Sequence, residues 1–356
     1  MRGGEVGGAT TMHAMTIGAF GGLDVLNRQE VPVPKARPGY VLVKVEAVGV
    51  NYYDTLIRSG AVSRDIALPH VGGSDVVGVI EATGEDVTGF APGQKVIVAP
   101  GYPTDVAEQT HRPENEARSY FPTGTFEWGG YAQFMEVSAR WVLPDDTGLP
   151  PEELAAIPLV LVTAVHAVRS VGKVGPGQRV LVQAGASGAG SMAIQIAKVL
   201  GAKVIATVST EAKAKLAREL GADAVVNYRA GSVADEVLAF TSGEGVDVVI
   251  DPVGGITLSD NISSLRPRGT IVNLGLSGGV AATIPNLYQF FRNELRIVGS
   301  WMGSMDELRF GLGLVCQGKV RAALDQVLPL AAAREAHRLI AERRVTGKLV
   351  LLPWAA

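Results

Sequence analysis

The sequence predicts an α/β protein of two domains, a doubly wound parallel sheet and a β-rich unit. Three observations carry this. From about residue 150 the chain alternates short apolar strands with helix-period segments, the rhythm of a parallel sheet with crossover helices. Residues 12 to about 100 instead show period-2 alternation broken by turn pairs, the rhythm of a compact, mostly antiparallel domain. The chain has 356 residues, 47% of them hydrophobic and 19% charged, enough apolar material for two cores.

In the first part, Tyr40–Val50 (YVLVKVEAVGV) alternates as a half-buried strand should, and 76–83 and 94–99 read the same way. Pro38-Gly39, Gly72-Gly73 and Pro92-Gly93 punctuate them. One short helix is expected near 53–58. Residues 100–128 are polar, Pro-bearing and poorly periodic, and read as a long surface loop or lobe. Its carboxylates and His111 are irregularly spaced and have no Cys beside them, which favours a solvated loop over a metal site. Residues 1–11 read as a loose leader.

In the second part, a helix is expected over 152–171. Strands are expected near 180–183, 203–208, 224–227, 246–251, 269–274 and 295–299, with helices between most of them. A helix over 305–316, a strand over 325–329, a helix over 331–343 and a closing strand over 348–352 then return to the first domain. The expected division is 12–155 with 300–356 for the β-rich domain and 156–299 for the parallel sheet.

The stretch 179–229 is the most informative. The strand Val180, Leu181, Val182 enters a turn of small residues, Gly185, Ala186, Ser187, Gly188, Ala189 and Gly190. An apolar-periodic helix follows (Met192, Ile194, Ile196, Val199), then a second strand over 203–208. Such a unit holds a dinucleotide: small residues let the backbone close on the pyrophosphate, and the helix N-terminus offers N–H groups and a positive dipole end. A crossover without a ligand is the plainer alternative.

NAD sites place an acidic residue at the end of the second strand, about 20 residues after the glycines. Here Val208 stands near that point. Ser209 and Thr210 can donate hydrogen bonds, Lys213 follows one turn later, and Tyr228 and Arg229 come after the third strand. The pattern favours NADPH over NADH, although Lys213 also reads as a solvated helix charge beside Lys215 and Arg218.

The net charge is −3 and no basic cluster stands out, which argues against nucleic acid or anionic membrane as a partner. Cys316 is the single cysteine, so neither a disulfide framework nor a thiolate-rich zinc site can form. No signal-peptide core and no apolar run of membrane-spanning length stands out, and a cytoplasmic location is expected.

From 15 to 352 the chain resembles the medium-chain dehydrogenase/reductase superfamily, and within it the zinc-free quinone oxidoreductase and enoyl reductase branch. The segments carrying the resemblance are AFGGLDVLNRQEVPVPKARPGYVLVKVEAVGVNYYDTLIRSG, GGSDVVGVIEATGEDVTGFAPGQKV, GASGAGSMAIQIAK, GVDVVIDPVGG and TGKLVLL. It implies a GroES-like catalytic domain and a Rossmann domain. Where the zinc-dependent branch has its metal ligands, this chain has Asn51, Gly73-Ser74-Asp75 and Leu159, with Thr163 retained, and 100–128 lacks the four cysteines of the structural-zinc lobe. The resemblance therefore implies no metal site, and Asp75 reads as a structural carboxylate.

The resemblance further implies that Asn51 bonds the nicotinamide ribose or a substrate oxygen, with Tyr53 the first candidate proton donor and Tyr52 the second. Several relatives carry a tyrosine one turn later, where this chain has Leu56, so packing with exposed hydroxyls stays open for both phenols. Thr163 would bond the carboxamide, and Val253 with Gly254 and Leu274, Gly275, Leu276 and Ser277 would line the nicotinamide side. Lys348 would reach the phosphates. Trp301 and Met302 would wall the substrate pocket or a subunit interface, and a homo-oligomer, typically a dimer, is implied.

The expected function is zinc-independent, NADPH-dependent reduction of activated C=C bonds or quinones. Arg58, Arg64 and Arg292 do not cluster, so free small acceptors are preferred to 2-enoyl thioesters. The alternatives are a zinc-type alcohol dehydrogenase and an NADPH-binding protein with a structural or sensing role.

Overall fold

The computed structural model describes residues 10–355, so most of the expected leader lies outside the described residues. In chain order the first stretch contributes β1 (Thr11–Ile17), β2 (Leu26–Pro32), β3 (Tyr40–Val50), α1 (Tyr52–Ser59), β4 (His70–Val71), β5 (Asp75–Thr83), β6 (Lys95–Val98), β7 (Gly101–Pro103), β8 (Tyr120–Pro122), β9 (Phe134–Ser138), β10 (Val142–Pro144) and α2 (Pro151–Leu154). β3 is the spine. It pairs antiparallel with β5 and β9, and Val41, Leu42, Val43 and Val45 are fully buried. Two register shifts in the β3–β5 ladder mark bulges, which bend a strand and sharpen its twist.

Helix α1 follows β3 after a single residue. Asn51 keeps extended backbone angles, and the Asp54 carboxylate, on the first turn, accepts from Asn51 N–H at 2.8 Å. Gly60, at φ 76°, ends the helix in the left-handed conformation that glycine adopts without steric cost. Asn51, Tyr52 and Tyr53 are thereby fixed on the helix start.

Of the loop and the lobe expected over 100–128, the structure has the lobe. β7 and β8 form a two-stranded sheet, Tyr102 and Tyr120 are buried, and Tyr102 stacks on Trp141 with ring centroids 5.5 Å apart. A few aromatic anchors fold a segment whose average composition is polar.

The expected helix over 152–171 is α2, α3 (Pro158–Val165) and a π-helical turn, His166–Val171. Pro158 lacks the N–H that a continuous helix requires. This stretch also corrects the expectation that no apolar run is long enough to span a membrane. Pro151–Val171 has 21 residues and a mean hydropathy of 1.8, meeting that criterion by length and composition, but 72% of its apolar window is buried inside the protein.

The chain continues with β11 (Arg179–Val182), α4 (Gly188–Val199), β12 (Lys203–Val208), α5 (Glu211–Glu219), β13 (Ala224–Asn227), α6 (Val233–Phe240), β14 (Val246–Asp251), α7 (Leu258–Ser264), β15 (Leu265–Asn273), α8 (Leu287–Arg292), β16 (Arg296–Gly299) and α9 (Met305–Cys316). The six strands are all parallel, in the order β13-β12-β11-β14-β15-β16. The order reverses between β11 and β14, and that reversal opens a crevice at the strands' C-terminal ends. Leu181, Ile205, Val237, Val249, Ile262 and Ile271 are among the residues that form the core.

Last come β17 (Leu324–Pro329), α10 (Ala333–Ala341) and β18 (Lys348–Leu352). β18 lies between β3 and β17, antiparallel to the first and parallel to the second, in a sheet ordered β10-β6-β5-β3-β18-β17. The described chain divides into one unit of residues 10–159 with 324–355, and a second of 160–323. Residues 300–323 thus go with the parallel sheet. His166 on the π-turn accounts for this physically: its Nδ1 lies 3.0 Å from Glu307 on α9.

Candidate active site

Candidate residues gather in two groups, one in each unit. In the first, ladder register sets the geometry. β5 places Asp75 opposite Gly49, and β18 places Leu349 opposite Val50, so Asp75 and Lys348 arrive beside Asn51. Asn51 Nδ2 donates to Asp75 Oδ2 at 2.9 Å, and Lys348 Nζ donates to the same oxygen at 2.8 Å and to Asn51 Oδ1 at 2.5 Å. Leu159 N–H donates to Asp75 Oδ1 at 2.6 Å. All three polar side chains are buried.

Lys348 was expected at the phosphates; the structure brings its ammonium to Asn51 and Asp75. The positions matching the family's zinc ligands therefore hold an amide, a hydroxyl, an aliphatic side chain and one carboxylate already taken by an ammonium and two N–H donors. Zinc requires Cys, His or carboxylate ligands in tetrahedral array, and this donor set does not fit it.

Tyr52 opens α1 and is 40% exposed. Tyr53 is more buried, with its hydroxyl 3.4 Å from Thr125 Oγ1. Burial pushes its phenol up to about 12, which keeps it protonated. Behind them, Asp54 Oδ2 accepts from Asn51 N–H and, at 2.9 Å, from Tyr131 Oη, which stands 3.3 Å from His337 Nε2. Burial raises Asp54 to about 6, against the pull of those hydrogen bonds and of Lys348. Burial likewise drives His337 down to about 3, so its imidazole is neutral. Nothing in the sequence flagged Tyr131 or His337, which join this cluster from distant elements. Arg58 is buried and donates to Gly21 O.

The second group lies on the parallel sheet. Ser187 caps α4, its Oγ accepting from Gly190 N–H at 3.0 Å. Gly188 and Ala189 N–H have no intrachain acceptor among the described residues. A Cβ at Gly190 would stand 2.2 Å from Ala184 O, so only glycine lets the helix begin this close to β11. Ala186 is buried beneath the turn. Free N–H groups at the positive end of a twelve-residue helix fit a pyrophosphate.

At the end of β12, Val208 is buried and its carbonyl accepts from Tyr228 N–H at 3.1 Å, placing the half-exposed Tyr228 beside Ser209. Thr210 caps α5, accepting from Lys213 N–H. Glu211, the first residue of that helix, pairs with Arg218 at 2.7 Å.

The loops after β14 and β15 are tied together. Leu274 N–H donates to Asp251 O at 3.0 Å, Gly278 N–H to Val253 O at 2.8 Å and Asn273 Nδ2 to Gly275 O at 3.0 Å. The loop that carries Val253 is thus joined to the loop that follows β15. On α3, Thr163 Oγ1 lies 3.6 Å from Met302 Sδ. Burial alone would raise Glu307, but hydrogen bonds from His166, Ser170 and Ser304 outweigh it and hold the carboxyl at about 2. Trp301 is 45% exposed.

Comparison with known proteins identifies the family. Residues 37–150 match the alcohol dehydrogenase GroES-like domain family, and 188–315 match the zinc-binding dehydrogenase family. A quinone oxidoreductase of Pseudomonas aeruginosa is 32% identical, over 94% of this chain and 98% of its own. A 2-haloacrylate reductase of Burkholderia is 31% identical, over 96% and 99%. A crystal structure of an NAD-dependent alcohol dehydrogenase superposes with a TM-score of 0.91 at 38% identity, over 96% and 99%. The chain thus belongs to the quinone oxidoreductase branch of the medium-chain dehydrogenase/reductase superfamily and is an oxidoreductase of this nicotinamide-dependent family.

Proposed function

We propose that the protein is a zinc-independent, NADPH-dependent reductase of activated C=C bonds or quinones. The carrying observation is the buried Asn51–Asp75–Lys348 cluster, which puts a fixed ammonium where the zinc branch of the family would bind its metal. Without a Lewis acid, an isolated ketone lacks its main electrophile. A conjugated acceptor spreads its developing charge onto an oxygen that hydrogen-bond donors can hold. The likeness to a 2-haloacrylate reductase supports an activated alkene.

Bound NADPH would supply the hydride. The chain's own residues orient and donate. Lys348 and Asp75 fix the Asn51 amide, leaving one N–H for a ribose or substrate oxygen. Tyr53, protonated across the working pH range, is the first proton donor we assign, and Tyr52 the second. Ala186, Ser187, Gly188, Ala189 and Gly190 would cradle the pyrophosphate. Thr163, Val253, Leu274, Gly275, Leu276 and Ser277 would line the nicotinamide side.

The preference for NADPH rests on Val208 in place of a carboxylate, with Ser209, Thr210, Lys213 and Tyr228 around the strand end. The substrate is a small molecule, neither nucleic acid nor a membrane, and the setting is cytoplasmic. A homo-oligomer is part of the same reading. It draws support from the edge strand β16, where Ile297 is exposed, and from exposed Leu287, Tyr288 and Phe291 on α8.

The test is loss of NADPH absorbance in chelator-treated protein with an ortho-quinone, a simple enone and crotonyl-CoA, with NADH as control. Faster turnover with NADPH on the quinone or the enone is expected. A requirement for added zinc, or NADPH binding without turnover on any acceptor, would overturn the reading. Tyr53→Phe should lower turnover by about a hundredfold or more if its phenol is the proton donor. An unchanged rate would pass the role to Tyr52.

A further inference from the structure

Beneath the crevice of the parallel sheet runs a buried chain of polar side chains. Ala184 N–H donates to Thr207 Oγ1 at 3.0 Å, and Thr207 Oγ1 donates to Gln183 Oε1 at 2.6 Å. Gln183 Nε2 donates to Asn261 Oδ1 at 2.7 Å, and Asn261 Nδ2 donates to Asp251 Oδ2 at 2.8 Å. There the chain ends, on a carboxylate that also takes Thr257 Oγ1 at 2.7 Å, Val253 N–H at 2.8 Å and Gly254 N–H at 3.0 Å. Thr207, Gln183, Asn261 and Asp251 are all 3% exposed or less. No lysine, arginine or histidine pairs with Asp251 among the described residues.

Every donor in this chain points toward Asp251, and electrostatics require it. An ionised carboxylate only accepts, so Asn261 must present its NH₂ to Asp251 and its oxygen to Gln183. Gln183 must then present its NH₂ to Asn261 and its oxygen to Thr207. The single Thr207 proton goes to that oxygen, which leaves the Thr207 lone pairs for Ala184 N–H. One charge on β14 thereby dictates the hydrogen bonding at the start of the glycine-rich turn, across the ends of β11 and β12. In a dry interior such aligned bonds polarise and strengthen one another.

We propose that Thr207, Gln183, Asn261 and Asp251 are positioning residues of one relay that sets the glycine-rich turn and the Val253–Gly254 loop in register for a single dinucleotide. The proposal rests on the reading of these two loops as cofactor contacts. None of the four touches the reacting atoms; they hold the backbone that does.

The experiment measures binding of NADPH and of ADP-ribose, which carries the pyrophosphate without the nicotinamide, to the full chain, together with the fluorescence of bound NADPH. Asp251→Asn sets NH₂ against NH₂ at the Asn261 contact and should invert the chain. Both ligands should then weaken by about tenfold, although Asp251 borders only the nicotinamide-side loop. Adding Asn261→Asp restores a donor–acceptor order at that contact and should return both affinities to within about threefold of the original.

Thr207→Val breaks the relay from its other end. It should alter bound-NADPH fluorescence, a signature of the nicotinamide end, while Thr207→Ser should leave it unchanged. If Asp251→Asn fails to fold, this second pair decides. Weaker NADPH with unchanged ADP-ribose, or no recovery in the double variant, would overturn the relay. Failure of the unsubstituted protein to bind either ligand would overturn the cofactor reading itself, and the relay with it.

Discussion

Each unit buries a carboxylate at the centre of its candidate site, and the two are neutralised in opposite ways. Asp75 meets a full counter-charge, Lys348, which lies 273 residues away in sequence. Asp251 meets only neutral donors, all supplied within the next ten residues. The first arrangement depends on two strands arriving from far apart, the second on a local loop wrapping its own acid. An ion pair fixes one point in space, whereas the distributed cage fixes the backbone of a loop and, through Asn261, a chain of neighbours. The first suits holding a single amide, Asn51; the second suits shaping a binding surface.

The comparison breaks first at Lys348. Lys348→Met leaves Asp75 buried without its counter-charge and should cost about 3–5 kcal/mol in a urea titration. Replacing both partners by apolar residues should recover much of that loss. A loss below about 1 kcal/mol would mean that water reaches Asp75 and that the contrast is false. Thr257→Val removes one of four neutral donors to Asp251 and should cost less, about 1–2 kcal/mol by the same titration.

The smallest net effect concerns pH, because two groups of the first unit oppose each other in the intact protein. His337 is held down at about 3, so the unfolded chain binds a proton that the folded chain refuses, and its contribution to stability is lost as pH falls from 6.5 toward 3. Asp54 is raised to about 6, so its contribution is full below pH 3.8 and is lost as pH rises through 6. The two oppose each other between about pH 4 and 6. His337→Gln should leave Asp54 alone, and stability in that window should then increase on acidification, measured as the urea midpoint at stepped pH. A midpoint that still falls would place the acid sensitivity elsewhere, first on buried His70, which desolvation also holds below its usual value, and below pH 4.5 on Glu307.

Much of the fold was legible because periodicity is local. The strands of the parallel sheet, the short helix after β3 and the glycine-rich turn announce themselves within a few residues. Pro158 split the long helix in plain view, yet the apolar run around it masked the break. Residues 100–128 misled because strands as short as β7 and β8 carry no measurable period, and their anchoring aromatics sit among polar neighbours.

The candidate site was legible by type more than by arrangement. Asn51, Tyr52 and Tyr53 are adjacent in sequence and stayed adjacent in space. The position of Lys348 is set by the register of β18 on β3, a tertiary fact, and no spacing rule could join it to Asn51. Tyr131 likewise meets Asp54, and His337 meets Tyr131, only through packing. Gln183 just past β11, Thr207 in β12 and Asn261 in α7 read as ordinary polar residues, and only their shared acceptor reveals a common purpose.

The strand that carries Lys348 has a consequence for how the protein is made. β18 fills the slot between β3 and β17, yet residues 160–323 are translated between β3 and β18. Until the ribosome has released β18, the C-terminal end of β3, residues 48–50, lacks its partner on one side and Asp75 has no ammonium beside it, while the parallel sheet already has its whole sequence. The nascent chain is therefore expected to mature out of order, with its second unit folding first and its first unit waiting for the last strand.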